Sequence, residues 1–413
     1  HIKITGALCL AVLALPILST PARAQDTLTF QRGDRVVFLG NTYAERMRHY
    51  GYFETFLRSR FPDLELTFRN LGWSGDEVNL RPRPMNFGDI HTHLTDLEAD
   101  VIFLFFGQNE SFGGEAGIPD FRQNLDALVK ELQGNHYNTE SAPRLVLVSP
   151  IRQEPIKGMP DVARRNREIG AYTEAMKAVA AARRLPFVDL FDGIPWVIAN
   201  KGDVPLTFNG IHYEAYGYWV AAQAMLGQLG LRPAPDTILA DMASGQIKVV
   251  GAALRKQQEV PGGFSIDVEG LNAPYMPVPK GGPEDPPNIL DPPLLMVKGL
   301  DPGRYGLAFG GVVVAMGTAE EWAKGLPILD TPYQEQLEKA RLESVHKNQL
   351  FFDRWRAVNG FYIYGGRKEP FGVQSFPPEL ARFDELVAEE ETAINGAMAD
   401  YRTVTLTFAP VGG

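Results

Sequence analysis

Three short stretches of the chain hold residue types that could do hydrolytic chemistry. They are Gly40-Asn41-Thr42, Gly107-Gln108-Asn109-Glu110 and Asn209-Gly210-Ile211-His212. Together they look like the corners of a Ser-His-Asp hydrolase site, in which a hydroxyl attacks, an imidazole carries the proton and a buried carboxylate orients the imidazole. Two corners carry a different residue. Threonine stands where serine would act, with a methyl group crowding the attack path and a β-branch limiting χ1. Asparagine stands where aspartate would act, and an amide brings no charge to stabilise an imidazolium. In one serine protease an Asp-to-Asn change costs roughly 10⁴ in rate.

Such residues need elements to position them. Residues 36–39 read as a buried strand ending at Gly40, followed by helical spacing over 44–60. Residues 64–70, 101–106, 145–148 and 186–190 read as four further strands, and 120–133, 161–183 and 213–229 as helices. The run 101–106 is apolar throughout, as a central parallel strand should be. This alternation predicts a three-layer α/β/α fold around a five-stranded parallel, flavodoxin-like sheet. Ligands of such sheets sit beyond the carboxyl ends of the strands, where the candidate motifs fall.

After about residue 240 the pattern becomes β-rich. Strands are expected at 245–250, 263–269, 294–298, 305–316 and 403–408, with a Pro/Gly-rich loop at 274–293. Residues 331–357 and 378–398 have helical spacing. The expected organisation is a hydrolase-like domain over 25–235 and a β-sandwich-like accessory domain over 240–413, with a helical insert at 331–398.

Residues 1–24 read as a secretory signal: Lys3, an apolar run at 7–18 and the small-x-small site Ala22-Arg23-Ala24. The reading implies export, to a periplasm or the exterior of a bacterium, with no membrane span in the mature chain. Cys9, the only cysteine, lies in that leader, so a cysteine nucleophile is excluded. The net charge of −10 becomes more negative once Lys3 and Arg23 are removed, which argues against a nucleic-acid partner. A small-molecule or polysaccharide substrate fits better.

Over residues 34–230 the chain resembles the SGNH (GDSL-type) hydrolase superfamily. The resemblance rests on Gly40-Asn41-Thr42 at the Gly-Asp-Ser block and on Asn70-Leu71-Gly72-Trp73-Ser74-Gly75-Asp76 at the second block. It rests also on Gly107-Gln108-Asn109-Glu110 at the Gly-x-Asn-Asp block and Asn209-Gly210-Ile211-His212 at the Asp-x-x-His block. It implies Thr42 as nucleophile, His212 as general base and acid, and Asn209 as its orienter. Gly75 (backbone N–H) and Asn109 (side-chain amide) would be the oxyanion donors. It implies no cofactor and no metal. Asp189 or Glu214 could supply the missing carboxylate. The activity implied is ester hydrolysis on a carbohydrate, such as deacetylation.

Two other readings stay open. Asp76 and Glu110 are a carboxylate pair that could cleave a glycosidic bond. The same fold could also bind a saccharide without turnover. Weaker substrate contacts would come from Asn41, from Trp73 by stacking on a sugar, from Asp76 and Glu110, and from Arg81 in the loop 81–87. His91-x-His93 reads as a solvated helix start rather than a metal pair. Residues 351–356 and 362–368 mix aromatic and basic side chains. They suit either a lid over the site or an insert packed on the sandwich.

Overall fold

The computed structural model describes residues 27–411 except 84–86, 157, 159–160, 199–203, 232–235, 272–275, 284–292, 329–330, 332, 364–370 and 400–402. Side chains at 195–198, 357–363, 371–377 and 399 are likewise not described. The leader with Cys9, much of the Pro/Gly-rich loop and residues 364–368 fall outside the described residues.

Five strands form the first sheet: β1 (Arg35–Gly40), β2 (Thr67–Asn70), β3 (Val101–Phe105), β4 (Arg144–Val148) and β5 (Phe187–Val188). Their order is β2-β1-β3-β4-β5, and every pairing is parallel. Strand side chains alternate between two cores. Val36, Phe38, Phe103 and Val146 pack with Phe53, Phe56 and Trp219 on one face. Val37, Leu39, Ile102 and Leu147 pack with Leu125, Val129, Met176 and Val179 on the other. All five residues of β3 are buried, at about 1.5–3 kcal/mol for each large apolar side chain. The helices covering the sheet are α1 (Thr42–Met47), α2 (Tyr52–Arg60), α3 (Ile90–Asp96), α4 (Ile118–Gln133), α5 (Val162–Arg183), α6 (Leu190–Ile198) and α7 (Ala215–Gln228). The architecture is the expected three-layer α/β/α.

The boundaries depart from expectation where glycine or proline intervenes. The helix expected over 44–60 is two helices, broken before Gly51, which has φ +66°. The second strand loses its first residues to a 3₁₀ turn at Pro62–Leu64.

Nine more strands follow: β6 (Thr237–Asp241), β7 (Gln246–Val250), β8 (Ala253–Val260), β9 (Gly263–Glu269), β10 (Leu294–Lys298), β11 (Arg304–Phe309), β12 (Val312–Thr318), β13 (Leu326–Pro327) and β14 (Thr403–Pro410). They make a four-stranded sheet, β13-β10-β6-β7, and a five-stranded sheet, β12-β11-β14-β9-β8. Ile238 and Val297 of the first share a core with Ile266, Leu406 and Phe408 of the second. The strand expected over 305–316 is a hairpin turned by Gly310-Gly311, both at positive φ. A short α8 (Ala319–Lys324) carries a capping box between Thr318 and Glu321.

The insert is a pair of long helices, α9 (Tyr333–Ile363) and α10 (Phe371–Ala399). It packs on α2 and β2 of the first domain, where the sequence left the sandwich as one possible partner. Phe351 and Trp355 of α9 enter the core beneath the sheet. Lys347, fully buried, donates to Glu54 and to the Phe68 carbonyl.

Candidate active site

Strand β1 ends at a point only glycine can occupy. A Cβ on Gly40 would lie 2.1 Å from the Phe105 carbonyl oxygen. That close approach lets the Asn41 N–H donate to the same oxygen (3.0 Å) and turns the chain into α1. Asn41 is the N-cap: its Oδ1 accepts from the Tyr43 N–H at 3.1 Å. Thr42 is the first residue of α1, half-buried, and among the described residues no hydrogen bond reaches its hydroxyl.

The loop after β2 is tied to this turn. Trp73 N–H donates to Gly40 O at 2.8 Å, and Ser74 N–H donates to a Glu45 carboxylate oxygen at 2.5 Å. Gly75 follows, exposed, with φ +87°. Its N–H has no partner among the described residues. Asn109, past β3, is half-buried, and its side-chain amide also has none. The two donors thus come from the carboxyl ends of β2 and β3, the strands on either side of β1, and among the described residues internal bonds satisfy neither.

The His212 segment lies against α1. The Tyr43 ring is 5.8 Å from that of Tyr213, and the Arg46 guanidinium sits 5.2 Å over Phe208. Phe208 in turn stacks on His212 with 5.8 Å between centroids. Glu154 builds this loop by accepting from the N–H groups of Leu206 (3.0 Å) and Thr207 (2.8 Å).

Asn209 is the partner of His212 Nδ1, and its orientation is fixed by its other bonds. Its Oδ1 accepts from the backbone N–H of Ile211 (3.2 Å) and of His212 (2.9 Å). Its Nδ2 therefore faces Nδ1 at 2.9 Å and donates to it. Neutral His212 then carries its proton on Nε2, the tautomer opposite to that of a general base. Burial, and then the Arg46 charge, hold its pKa below the usual histidine value. Neither carboxylate expected as a rescuer reaches it. Asp189 accepts from the Asp192 N–H, and Glu214 is exposed at the start of α7.

The profile of the GDSL-like Lipase/Acylhydrolase family matches residues 28–220. Those residues belong to that family. The family is one of ester hydrolases. No curated protein matches the sequence. Among solved structures, the chain is similar to BT4096, described as a gut microbial diltiazem-metabolizing enzyme, at 17% identity and a TM-score of 0.71. That match covers 94% of this chain and 100% of the other, so the sandwich and insert belong to the shared architecture. A GDSL-like lipase from Parabacteroides merdae matches at 15% identity over 50% of this chain and 100% of its own, with a TM-score of 0.41. Axe2, an acetylxylan esterase from Geobacillus stearothermophilus, matches at 18% identity over 49% and 97%, with a TM-score of 0.39.

Within the GDSL-like domain, several weaker candidates have structural duties instead. Asn41 is buried as the α1 cap. Asp76 is fully buried in a two-pronged ion pair with Arg83, at 2.8 and 2.6 Å. Burial pushes its pKa up, and Arg83 opposes this. Glu110 accepts from Gly107 N–H (2.8 Å) and Val78 N–H (3.0 Å), strapping the loop after β3 to the one after β2. Burial raises its pKa to about 7. Both carboxylates are thus occupied by partners a glycosidase pair would have to release. Trp73 cannot stack on a sugar as expected, because Arg356 and Arg83 cover its ring at 3.2 and 3.9 Å. Arg81 donates to the carbonyls of Glu77 and Val78. His91 sits in α3 with Tyr137 (2.6 Å) and Glu131 (2.9 Å) as partners.

Three further residues of the site have no family motif. Glu45 lies in the first turn of α1 and supports the Gly75 loop. Arg356 of α9 bonds Gly72 O and Glu45, both at 3.3 Å. The insert therefore reaches the oxyanion loop. Arg46 stands one helical turn beyond Thr42, beside His212. Only the i, i+4 spacing from Thr42 could have pointed to it.

Proposed function

We propose that this protein is an exported esterase that removes acyl groups, acetyl in particular, from a carbohydrate. The observation that carries this reading is the pair of unbonded donors, Gly75 N–H and the Asn109 amide, on the strand-end loops beside an unbonded Thr42 hydroxyl. Such donors are worth about 3–4 kcal/mol each when they meet developing negative charge. In this reading Thr42 attacks the acyl carbon and the oxyanion forms between Gly75 and Asn109. His212 moves the proton from Thr42 to the leaving sugar oxygen, and then takes a proton from the water that cleaves the acetyl-Thr42 ester, releasing acetate and returning the proton to Thr42. The transfer from Thr42 requires His212 to exchange its resting tautomer first, because Asn209 holds the proton on Nε2. Slow turnover is the consequence.

The experiment is acetate release from acetylated xylo-oligosaccharides and aryl acetates by the wild type, T42A and N109A. Acetate without new reducing ends supports the reading, with T42A inactive and N109A reduced about 10²–10³-fold in kcat. Full activity in T42A removes the nucleophile assignment. The Asn209–His212 contact favours a second reading, saccharide binding without turnover. Calorimetric binding with no acetate and no reducing sugar released would select it.

A further inference from the structure

Arg46 is a half-buried cation at the proposed site with no counter-ion. Among the described residues no carboxylate lies within ion-pairing distance of it; it donates to the Tyr50 hydroxyl at 3.2 Å and also faces the Tyr218 hydroxyl, both uncharged partners. Its Nε is buried with no partner. Several other enclosed arginines of this domain are neutralised, Arg58 by Glu54 and Glu391, Arg69 by Glu391, Arg83 by Asp76 and Arg144 by Asp34, while Arg81 is satisfied by two carbonyls. Arg48, next but one, also has no ion pair among the described residues and leans on Gln349 at 2.6 Å. The carboxylate within their helix, Glu45, is engaged by Ser74 N–H and Arg356.

The guanidinium is held in place. The Tyr50 hydroxyl fixes one end, and the plane lies over Phe208, itself half exposed and stacked on His212. Ile211 adds a second exposed apolar side chain at the same rim. The positive field reaches the surrounding imidazoles: after burial, Arg46 depresses His212, and Arg48 and then Arg46 depress His49. The whole chain carries −10, so its overall field repels anions. A cation left unpaired beside His212 makes a local exception to that field. Holding it there costs stability, which an anionic ligand would offset.

We propose that Arg46 forms a carboxylate subsite beside His212, so that the substrate is an acyl ester of an acidic saccharide containing uronic-acid residues. Phe208 and Ile211 would face the apolar side of the sugar ring, and the guanidinium would take the carboxylate. This proposal rests on the esterase reading for turnover but not for binding.

Calorimetry with trigalacturonate and xylotriose, at low and high salt, tests binding alone. The wild type should bind the uronate more tightly than the neutral sugar, with the difference shrinking in salt. R46Q should weaken uronate binding at least tenfold, and R46K should keep most of it. The second measurement is kcat/KM on acetylated uronate and acetylated xylan oligosaccharides, whose ratio should fall at least tenfold in R46Q. No uronate binding by the wild type, or equal binding by R46Q, overturns the subsite. Arg46-dependent uronate binding without acetate release keeps the subsite and ends the esterase reading. Acetate release with no preference for the acidic substrate keeps the esterase and ends the subsite.

Discussion

At the scale of single residues, the site turns on which atom of His212 carries the proton. Two backbone N–H groups pin Asn209 Oδ1 and leave Nδ2 facing the imidazole. In N209D one carboxylate oxygen can keep the backbone bonds while the other accepts from Nδ1–H. The proton then leaves Nε2, which becomes a base toward Thr42. We expect kcat on aryl acetates to rise at least tenfold, and by up to about 10⁴ if the tautomer is the whole deficit. A fall in kcat would mean that His212 works as a donor through Nε2–H. The pH profile gives an independent check. Burial and Arg46 lower the His212 pKa, so the neutral form persists below the ordinary value of about 6.5. Activity of the wild type should therefore stay level from pH 8 to below 6.5 and decline only at lower pH, and N209D should move that decline upward. The substitutions at 42 and 209 were legible in the sequence, as were Gly75 and Asn109 as positions. The orientation of the Asn209 amide was not, because it depends on a turn closed by backbone groups of the next residues.

At the scale of elements, the oxyanion loop is held by two helices that no motif connects. Glu45 of α1 accepts the Ser74 N–H, and Arg356 of α9 fixes Glu45 and the Gly72 carbonyl while covering Trp73. Burial lowers the Arg356 pKa to about 10, with Glu45 opposing, so the guanidinium stays charged at neutral pH. E45Q and R356M should each loosen the Gly75 N–H without removing any substrate contact. The expected outcome is a kcat lowered about tenfold or more with KM changed less than twofold. A rise in KM at constant kcat would instead mean that these side chains touch substrate. The strands of the first sheet were readable because parallel strands buried on both faces are apolar throughout, as in Val101–Phe105. Strand β8, exposed from Arg255 to Glu259 and charged at Arg255, Lys256 and Glu259, is an edge strand and gives no such signal. The docking of α9 was hidden for a different reason. Its residues meet α2 and β2 from some 280 positions away in sequence, through pairs such as Lys347 with Phe68 (|i−j| 279).

At the scale of the molecule, a buried charge network joins the insert to the GDSL-like domain. Lys347 and Glu391 come from α9 and α10, and Glu54, Arg58 and Arg69 from α2 and β2. Asn348 adds a bond to Glu54 at 3.0 Å. Burial opposes the charge of Glu391, yet Lys347, Arg58 and Arg69 together bring its pKa down to about 2. An unfolded glutamate titrates near 4.3. A group whose folded pKa is depressed contributes stability that is fully present above the unfolded pKa and is lost as pH falls through the folded one. The window for Glu391 therefore runs from about pH 4.3 down to about 2. In E391Q the three cations keep only Glu54 as a near counter-charge, and removing one member of a buried pair typically costs about 3–5 kcal/mol. Urea unfolding at pH 7, followed by tryptophan fluorescence, should register that loss, since Trp355 sits in the interface with Trp73 5.6 Å away. The gap between E391Q and the wild type should narrow as pH drops from 4.3 toward 2, where the wild-type carboxylate also becomes neutral. A gap that stays constant across that range would mean that packing of the side chain, rather than its charge, holds the insert in place. The site then shares in the outcome, because the same helix α9 that carries Lys347 carries Arg356 to the oxyanion loop.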